Sequence, residues 1–210
     1  VYDKNKADFV IFAPAEKEER IKEFKDLFIF LGQTNIDKEK YQFYDYNKRE
    51  DFKYKNAMLT SEGAVALYKT NSDKALLSSR VLITGYGKIA KALCKSLKSF
   101  GANITVCARS DINKAEALGD TANVIDFSNL LCNEFDIIFN TVPAVCFTKK
   151  EIDTFKENAL YIELASFPGG IDKHYAKAKH INLINGSKLP SKFSKESAGY
   201  FIAQAIDKSI

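Results

Sequence analysis

The chain has 210 residues, 46% of them hydrophobic, enough to bury one good core and part of a second, so a two-lobed α/β enzyme is admissible. Its 31 basic and 27 acidic residues leave a formal charge of +4, and lysines alternate with acids in stretches such as Lys38-Glu39-Lys40, so a nucleic-acid stripe is not expected. No apolar run approaches the ~20 residues of a membrane span and the start has no signal-peptide pattern; because it opens on Val1 rather than Met, an upstream stretch is expected.

Residues 7–13 read as a strand, with Pro14 suited to a first helical turn and Ile21, Phe24, Leu27 and Phe28 supplying a helix's apolar side. Residues 27–31 alternatively open a second strand, and another is expected over residues 41–46. The aromatic cluster Tyr41, Phe43, Tyr44 and Tyr46 has no basic residues between its rings and reads as core, not as a base-stacking platform. After a polar, basic link, Thr60-Ser61-Glu62-Gly63 is expected to open a helix into the next domain.

Residues 81–90 carry the strongest signal: a β-branched run breaks into Gly85-x-Gly87-x-x-Ala90 and continues at helical spacing through Ile89, Leu93 and Leu97. Gly85 permits a tight turn, Gly87 lets the backbone approach a pyrophosphate, and Ala90 allows close helix-to-strand packing. Tyr86, Lys88 and Ile89 belong to the same turn. Gly101 closes the helix, and a second strand follows over residues 102–108. An NAD-binding fold places an acid at the tip of that strand; here Ala108-Arg109-Ser110 stands there, so Arg109 and Ser110 favour the 2′-phosphate of NADP, with NAD the less favoured cofactor. Asp111 dissents, but at a helix start an acid is simply favourable to the dipole.

Strands are expected again over residues 122–126, 135–140, 159–165 and 181–184, separated by helices, one over 110–119, one opening with the Thr148-x-x-Glu151 capping box and one following Ser194. This alternation predicts a doubly wound parallel sheet of Rossmann type, with a second, smaller, truncated α/β lobe. The NADP-binding domain is expected over residues 61–193, and the partial N-terminal lobe over 1–60, joined by the C-terminal helix over 194–210. The strand ends that face a ligand then carry Asn140, Thr141, Val142 and Pro143, and Ser166, Gly169 and Gly170, which are read as lying beside the nicotinamide. Cys94, Cys107, Cys132 and Cys146 form no C-x-x-C pair and read as free thiols of a reducing cytoplasm; His174 and His180 do not share a helical face, so no metal site is expected.

The ordered set Asn56-Ala-Met-Leu-Thr60-Ser61-Glu62-Gly63-Ala64, Gly85-Tyr-Gly-Lys-Ile-Ala90, Ala108-Arg109-Ser110, Asn140-Thr141-Val-Pro143, Ser166-Phe-Pro168-Gly169-Gly170, Leu189-Pro190 and Ser197-Ala198-Gly199 resembles the family of the dipicolinate synthase A subunit. The resemblance implies an NADP-dependent oxidoreductase of bacterial sporulation that oxidises a dihydrodipicolinate-type product of the lysine pathway to dipicolinic acid. It also implies a place in the mother-cell cytoplasm and a second, flavoprotein-like subunit. Two departures bear on substrate binding. The family's Gly-Gly-Asp-Ala-Arg turn of a larger N-terminal domain has no counterpart here, and residues 187–199 replace two glycines and a proline of the family's late stretch.

Aromatising a dihydropyridine dicarboxylate removes a hydride and a proton, and binding a dianion calls for cations or N–H groups. Lys192 and Lys195, Ser61, and the Gly169-Gly170 backbone are the substrate-binding candidates; Glu62, Ser166 and His174 are the catalytic candidates, with no general base singled out. Homo-oligomerisation is left open. The competing readings are a shikimate-dehydrogenase-like NADP-linked reductase and a dinucleotide-binding module without catalysis.

Overall fold

The computed structural model describes residues 7–14, 16–32, 36–37, 39–120 and 123–208. The chain divides into two compact units, Val1–Asn56 with Glu196–Ile210, and Ala57–Lys195.

The smaller unit is built on three parallel strands in the order β1-β2-β3: β1 (Phe9–Ile11), β2 (Phe28–Leu31) and β3 (Phe43–Asp45). Strand alternation sends Ile29 and Leu31 to one face, where they pack with Phe12, Ile21 and Tyr41, and Phe30 to the other, where it meets Tyr46 and Phe52. Between β1 and β2 lies only a short helix, α1 (Glu18–Ile21), continued by the 3-10 turn Lys22–Phe24. The expected longer helix through Leu27 and Phe28 therefore does not form: Phe28 opens β2, and Pro14 sits in a turn ahead of α1. The strand expected over 41–46 is shorter, because Tyr46 begins a 3-10 turn whose start is capped by the Asp45 carboxylate accepting from Asn47 N–H at 2.9 Å.

The largest departure concerns the helix expected to open at Thr60. Helix α2 (Glu50–Asn71) starts ten residues earlier and runs straight through Thr60-Ser61-Glu62-Gly63. The polar stretch read as a link is its first turns, with Phe52 buried in the smaller unit's core. Gly63 is held by packing, since a Cβ there would lie 2.7 Å from Leu189 Cβ.

The larger unit carries β4 (Arg80–Thr84), β5 (Asn103–Cys107), β6 (Asn123–Ile125), β7 (Ile137–Asn140), β8 (Leu160–Glu163) and β9 (Asn182–Asn185), all parallel, in the order β6-β5-β4-β7-β8-β9. Of the strand expected over 122–126, Ala122 lies outside the described residues. Helices α3 (Lys88–Ser99), α4 (Asp111–Asp120), α5 (Lys149–Ile152), α6 (Lys173–Ala178) and α7 (Leu189–Phe193) follow β4, β5, β7, β8 and β9, β6 is followed by the 3-10 turn Phe127–Asn129, and α8 (Lys195–Asp207) is the last helix described. The central strands are near-continuous apolar runs because both faces are covered. Val81, Ile83, Ile137 and Phe139 pack with Ala90, Leu93 and Leu97 of α3 on one face; Leu82, Ile138 and Tyr161 pack with Phe147, Ile152 and Ala176 on the other.

The four cysteines are free, with Cys146 half-buried and the others buried. Burial pushes the thiols of Cys94, Cys107 and Cys132 up to about 12. Among the described residues no helix is long and apolar enough to cross a membrane.

In the smaller unit, the buried Tyr46 hydroxyl donates to Phe12 O at 2.7 Å. Removing it in Y46F leaves that carbonyl unpaired and should cost about 1–2 kcal/mol, read from urea unfolding; an unchanged midpoint would show that water replaces the contact without loss.

Candidate functional site

The sheet order reverses between β4 and β7: the chain steps from β4 to β5 and β6 on one side and to β7, β8 and β9 on the other. The connections after β4 and β7 therefore leave in opposite directions and open a crevice outside the carboxyl ends of the strands.

Two glycines at the end of β4 have different physical origins. Gly85 has φ +82°, its N–H donates to Cys107 O at 2.8 Å, and a Cβ would lie 2.7 Å from Thr141 Oγ1. The fold itself demands glycine there. Gly87 has φ −84°, which any residue adopts, and an added Cβ would meet nothing within 4 Å. It stands at the N-cap of α3 with no side-chain cap, so the positive end of the helix faces open space. Nothing within the described chain requires a glycine at this position, whereas a pyrophosphate approaching the backbone does. The residues present thus fit a dinucleotide. Ala90, fully buried, lets α3 lie close on the sheet. Lys88 is exposed and Ile89 half-buried against the main core. The Tyr86 side chain is turned inward, its hydroxyl donating to Asp120 Oδ2 at 2.5 Å, so only its main chain belongs to the turn.

Arg109 and Ser110 follow β5, both exposed. Arg109 makes no hydrogen bond or ion pair among the described residues. The Ser110 hydroxyl accepts from Asn113 N–H at 3.2 Å, capping α4 and leaving its own O–H to donate outward. Burial pushes the Cys146 thiol up to about 12, with the Glu163 and Glu151 charges adding to the effect and the Arg109 charge opposing it.

A chain of hydrogen bonds ties the ends of β4, β7 and β8. Thr84 Oγ1 donates to Asn140 Oδ1 at 2.5 Å, and Val142 N–H to the same oxygen at 3.1 Å. Asn140 Nδ2 donates to Val142 O at 2.9 Å and to Glu163 Oε1 at 2.6 Å. Glu163, 7% exposed, also accepts from Ala165 N–H at 3.0 Å on Oε1, and on Oε2 from Gly170 N–H at 2.8 Å and Tyr161 O–H at 3.2 Å. Thr141 Oγ1 donates to Thr84 O at 2.7 Å.

This network revises the sequence expectation. Asn140 is fully buried with its amide satisfied on every side, so its side chain positions the loop and does not reach a ligand. Thr141 is likewise turned back onto β4. The Gly169 and Gly170 N–H groups, read as substrate donors, are already bound, to Ser166 O at 2.9 Å and to Glu163. Pro143 and Ser166 are exposed at the edge, and Val142 is half-buried there. Glu163 was not singled out by the sequence reading, although a lone carboxylate in the otherwise apolar run Leu160-Tyr161-Ile162-Glu163-Leu164 was a usable signal.

Among the described residues no hydrogen bond joins the remaining candidates to this network. Ser61 is buried within α2, its hydroxyl 2.9 Å from that of Ser96 on α3, two turns along from the helix start; that contact replaces the expected substrate role. Glu62 is exposed in the middle of α2 and caps nothing, His174 is exposed on α6, and Lys192 and Lys195 are exposed on α7 and at the start of α8. A shallow groove lined by Arg80, Asn103, Thr105 and Glu134 lies at the opposite, amino-terminal end of the strands, away from the glycine turn.

Residues 50–166, more than half of the chain, match the family described as D-isomer specific 2-hydroxyacid dehydrogenase, NAD binding domain. The chain belongs to this family. Its nucleotide is accordingly a nicotinamide dinucleotide. The chain is also 27% identical over 163 residues to the dipicolinate synthase A subunit of Bacillus subtilis (strain 168), covering 77% of this chain but only 55% of that protein. Among solved structures, the dipicolinate synthase A chain from Bacillus subtilis superposes with a TM-score of 0.81 at 23% identity, covering 96% of this chain and 76% of that one. The corresponding synthase chain from Bacillus halodurans gives 0.85 at 21%, covering 99% and 81%. A transhydrogenase from Sinorhizobium meliloti gives 0.77 at 15%, covering 97% and 74%, so the fold is shared beyond the synthases.

The contrast between the two glycines is testable. G87A should cost at most about 1 kcal/mol of stability, since only an N-cap preference changes, yet weaken dinucleotide binding at least about tenfold by occupying the cradle. G85A should instead destabilise by about 1–3 kcal/mol through its left-handed backbone. Calorimetric melting together with a fluorescence titration separates the two, and equal melting losses for both would refute the distinction.

Proposed function

We propose that the chain binds NADP and acts in an oxidoreductase that converts a dihydropyridine dicarboxylate, of the dihydrodipicolinate type, to the aromatic dipicolinate. The observation that carries the dinucleotide part is Gly87, a glycine with ordinary backbone angles and an empty surround at a helix N-terminus. The preference for NADP rests on Arg109, exposed beyond β5 and without a partner among the described residues, with the Ser110 hydroxyl beside it. The substrate part rests on the similarity to the dipicolinate synthase A subunit.

When bound, the cofactor supplies the hydride acceptor; the substrate loses that hydride and one proton as its ring becomes aromatic. The chain's own residues hold and shield. The first turn of α3 would hold the pyrophosphate and Arg109 the 2′-phosphate, with Val142, Pro143 and Ser166 forming the wall beyond β7 and β8. Lys192 and Lys195 remain the candidate counter-charges for the two carboxylates. Ser166 and Pro143 stand open to solvent at that wall. On this reading a second, flavoprotein-like subunit joins the chain in the mother-cell cytoplasm of a sporulating bacterium.

A second reading, a dinucleotide-binding module without catalysis, draws on one observation: the Glu163 carboxylate beside Asn140 is satisfied by four donors, so it is not free to act as a base. Incubation with NADP and freshly generated dihydrodipicolinate, with and without the second subunit, decides between them. Appearance of reduced cofactor by absorbance supports the oxidoreductase. Dinucleotide binding with no turnover under either condition supports the module.

Cofactor choice is tested separately. R109A should weaken NADP by about 1.5–3 kcal/mol, the value of hydrogen bonds to a charged group, and leave NAD nearly unchanged. Equal losses for both, or tighter binding of NAD to the unmodified chain, would overturn the NADP assignment.

A further inference from the structure

Glu163 is a buried carboxylate whose partners are all neutral donors. Both oxygens accept two hydrogen bonds each, from Asn140 Nδ2 and Ala165 N–H on one and Gly170 N–H and Tyr161 O–H on the other. No lysine or arginine lies within ion-pair distance of it among the described residues. Burying an unpaired negative charge is expensive, and a sheet interior retains one only where donors surround it.

Its donors come from two different connections. Asn140 ends β7 and fixes Val142 through two hydrogen bonds, while Ala165 and Gly170 belong to the loop after β8. One carboxylate therefore fastens the loops 141–147 and 165–170 to each other. The same loops are joined again where Cys146 and Phe147 N–H both donate to Gly170 O at 2.9 Å. The packing is tight: a Cβ on Gly169 would lie 2.8 Å from Glu163 Oε2, and one on Gly170 would overlap the Asn140 amide.

The position of this clamp relative to the glycine turn is set by the sheet. Arg109, the candidate for the 2′-phosphate, lies on the β5 side of β4, and Glu163 lies two strands away on the other side. With strands about 4.8 Å apart, Glu163 is about 10 Å from the end of β4, the span over which a dinucleotide runs from its pyrophosphate toward its nicotinamide. We infer that Glu163 is the positioning residue for the nicotinamide half of the cofactor, and that its uncompensated negative charge favours the cationic oxidised ring over the neutral reduced one. The inference rests on the NADP reading above.

A glutamine at this position has nearly the same shape but must turn an NH₂ group toward two donors, so it breaks the clamp and removes the charge together. The experiment titrates the full chain and E163Q with three probes: oxidised NADP, reduced NADPH, and 2′-phospho-ADP-ribose, which lacks the nicotinamide. E163Q should weaken oxidised NADP by about tenfold or more, NADPH by only about two- to threefold, and 2′-phospho-ADP-ribose by less than about twofold, moving the oxidised-to-reduced affinity ratio. A loss of purely structural origin would leave that ratio fixed.

Equal losses for the three probes, or no loss for either dinucleotide, overturns the inference. If E163Q does not fold, T84V takes its place, since valine keeps the shape and removes only the donor to Asn140 Oδ1. T84V should weaken both dinucleotides relative to 2′-phospho-ADP-ribose while keeping the oxidised-to-reduced ratio, because the Glu163 charge is intact. Unaltered binding of both dinucleotides to T84V overturns the positioning role. If the unmodified chain binds none of the probes, the NADP reading itself fails and this inference falls with it; if it binds all three and the variants match it, only the inference falls.

Discussion

The carboxyl ends of β4, β7 and β8 are held in register by side chains that point at one another across a parallel sheet. Backbone pairing ends where the strands diverge, so the groups beyond need partners from elsewhere. Thr84, Asn140 and Glu163 supply them, and each is buried with its polar atoms satisfied. The loops that wall the crevice inherit their shape from this chain of hydrogen bonds. Along this stretch the polar side chains of Thr84, Asn140 and Glu163 are turned inward beneath the loops.

Division of labour between the glycines follows the same logic. Gly85, Gly169 and Gly170 are required by internal geometry, either a positive φ or a close neighbour. Gly87 alone among these four has neither constraint, which leaves the helix start open to a group approaching from outside the chain. A binding site formed in this way costs the fold little, because the helix dipole and first-turn amides of α3 exist whether or not an anion is present.

The two-sided covering of the larger sheet explains why its strands could be recognised and why one helix could not. A strand buried on both faces is apolar over most of its length, and the runs at β4, β7 and β8 stand out against their surroundings. Helix α2 has the opposite character. It is polar at its start and carries Thr60, Ser61 and Gly63 in its middle, residues that locally favour a cap or a break. What keeps it continuous is packing, with Ser61 against Ser96 and Gly63 against Leu189.

By itself the sequence determined the parallel α/β architecture, the glycine turn after β4 and the basic tip after β5, because these depend on local chemistry: β-branched runs, a turn that only glycine permits, and the residue type at one strand end. The lone carboxylate in β8 was visible as a letter but not as a role. Its meaning required knowing that β7 and β8 are neighbours, so that Asn140 and Glu163, twenty-three positions apart, share a hydrogen bond. Tertiary structure likewise decided that Ser61 faces α3, that the Tyr86 ring is internal, and that the Gly169 and Gly170 amides are already bound. The reason is the same throughout: sequence spacing fixes which face of an element a residue occupies, whereas the identity of the atoms opposite that face is set only when the elements pack.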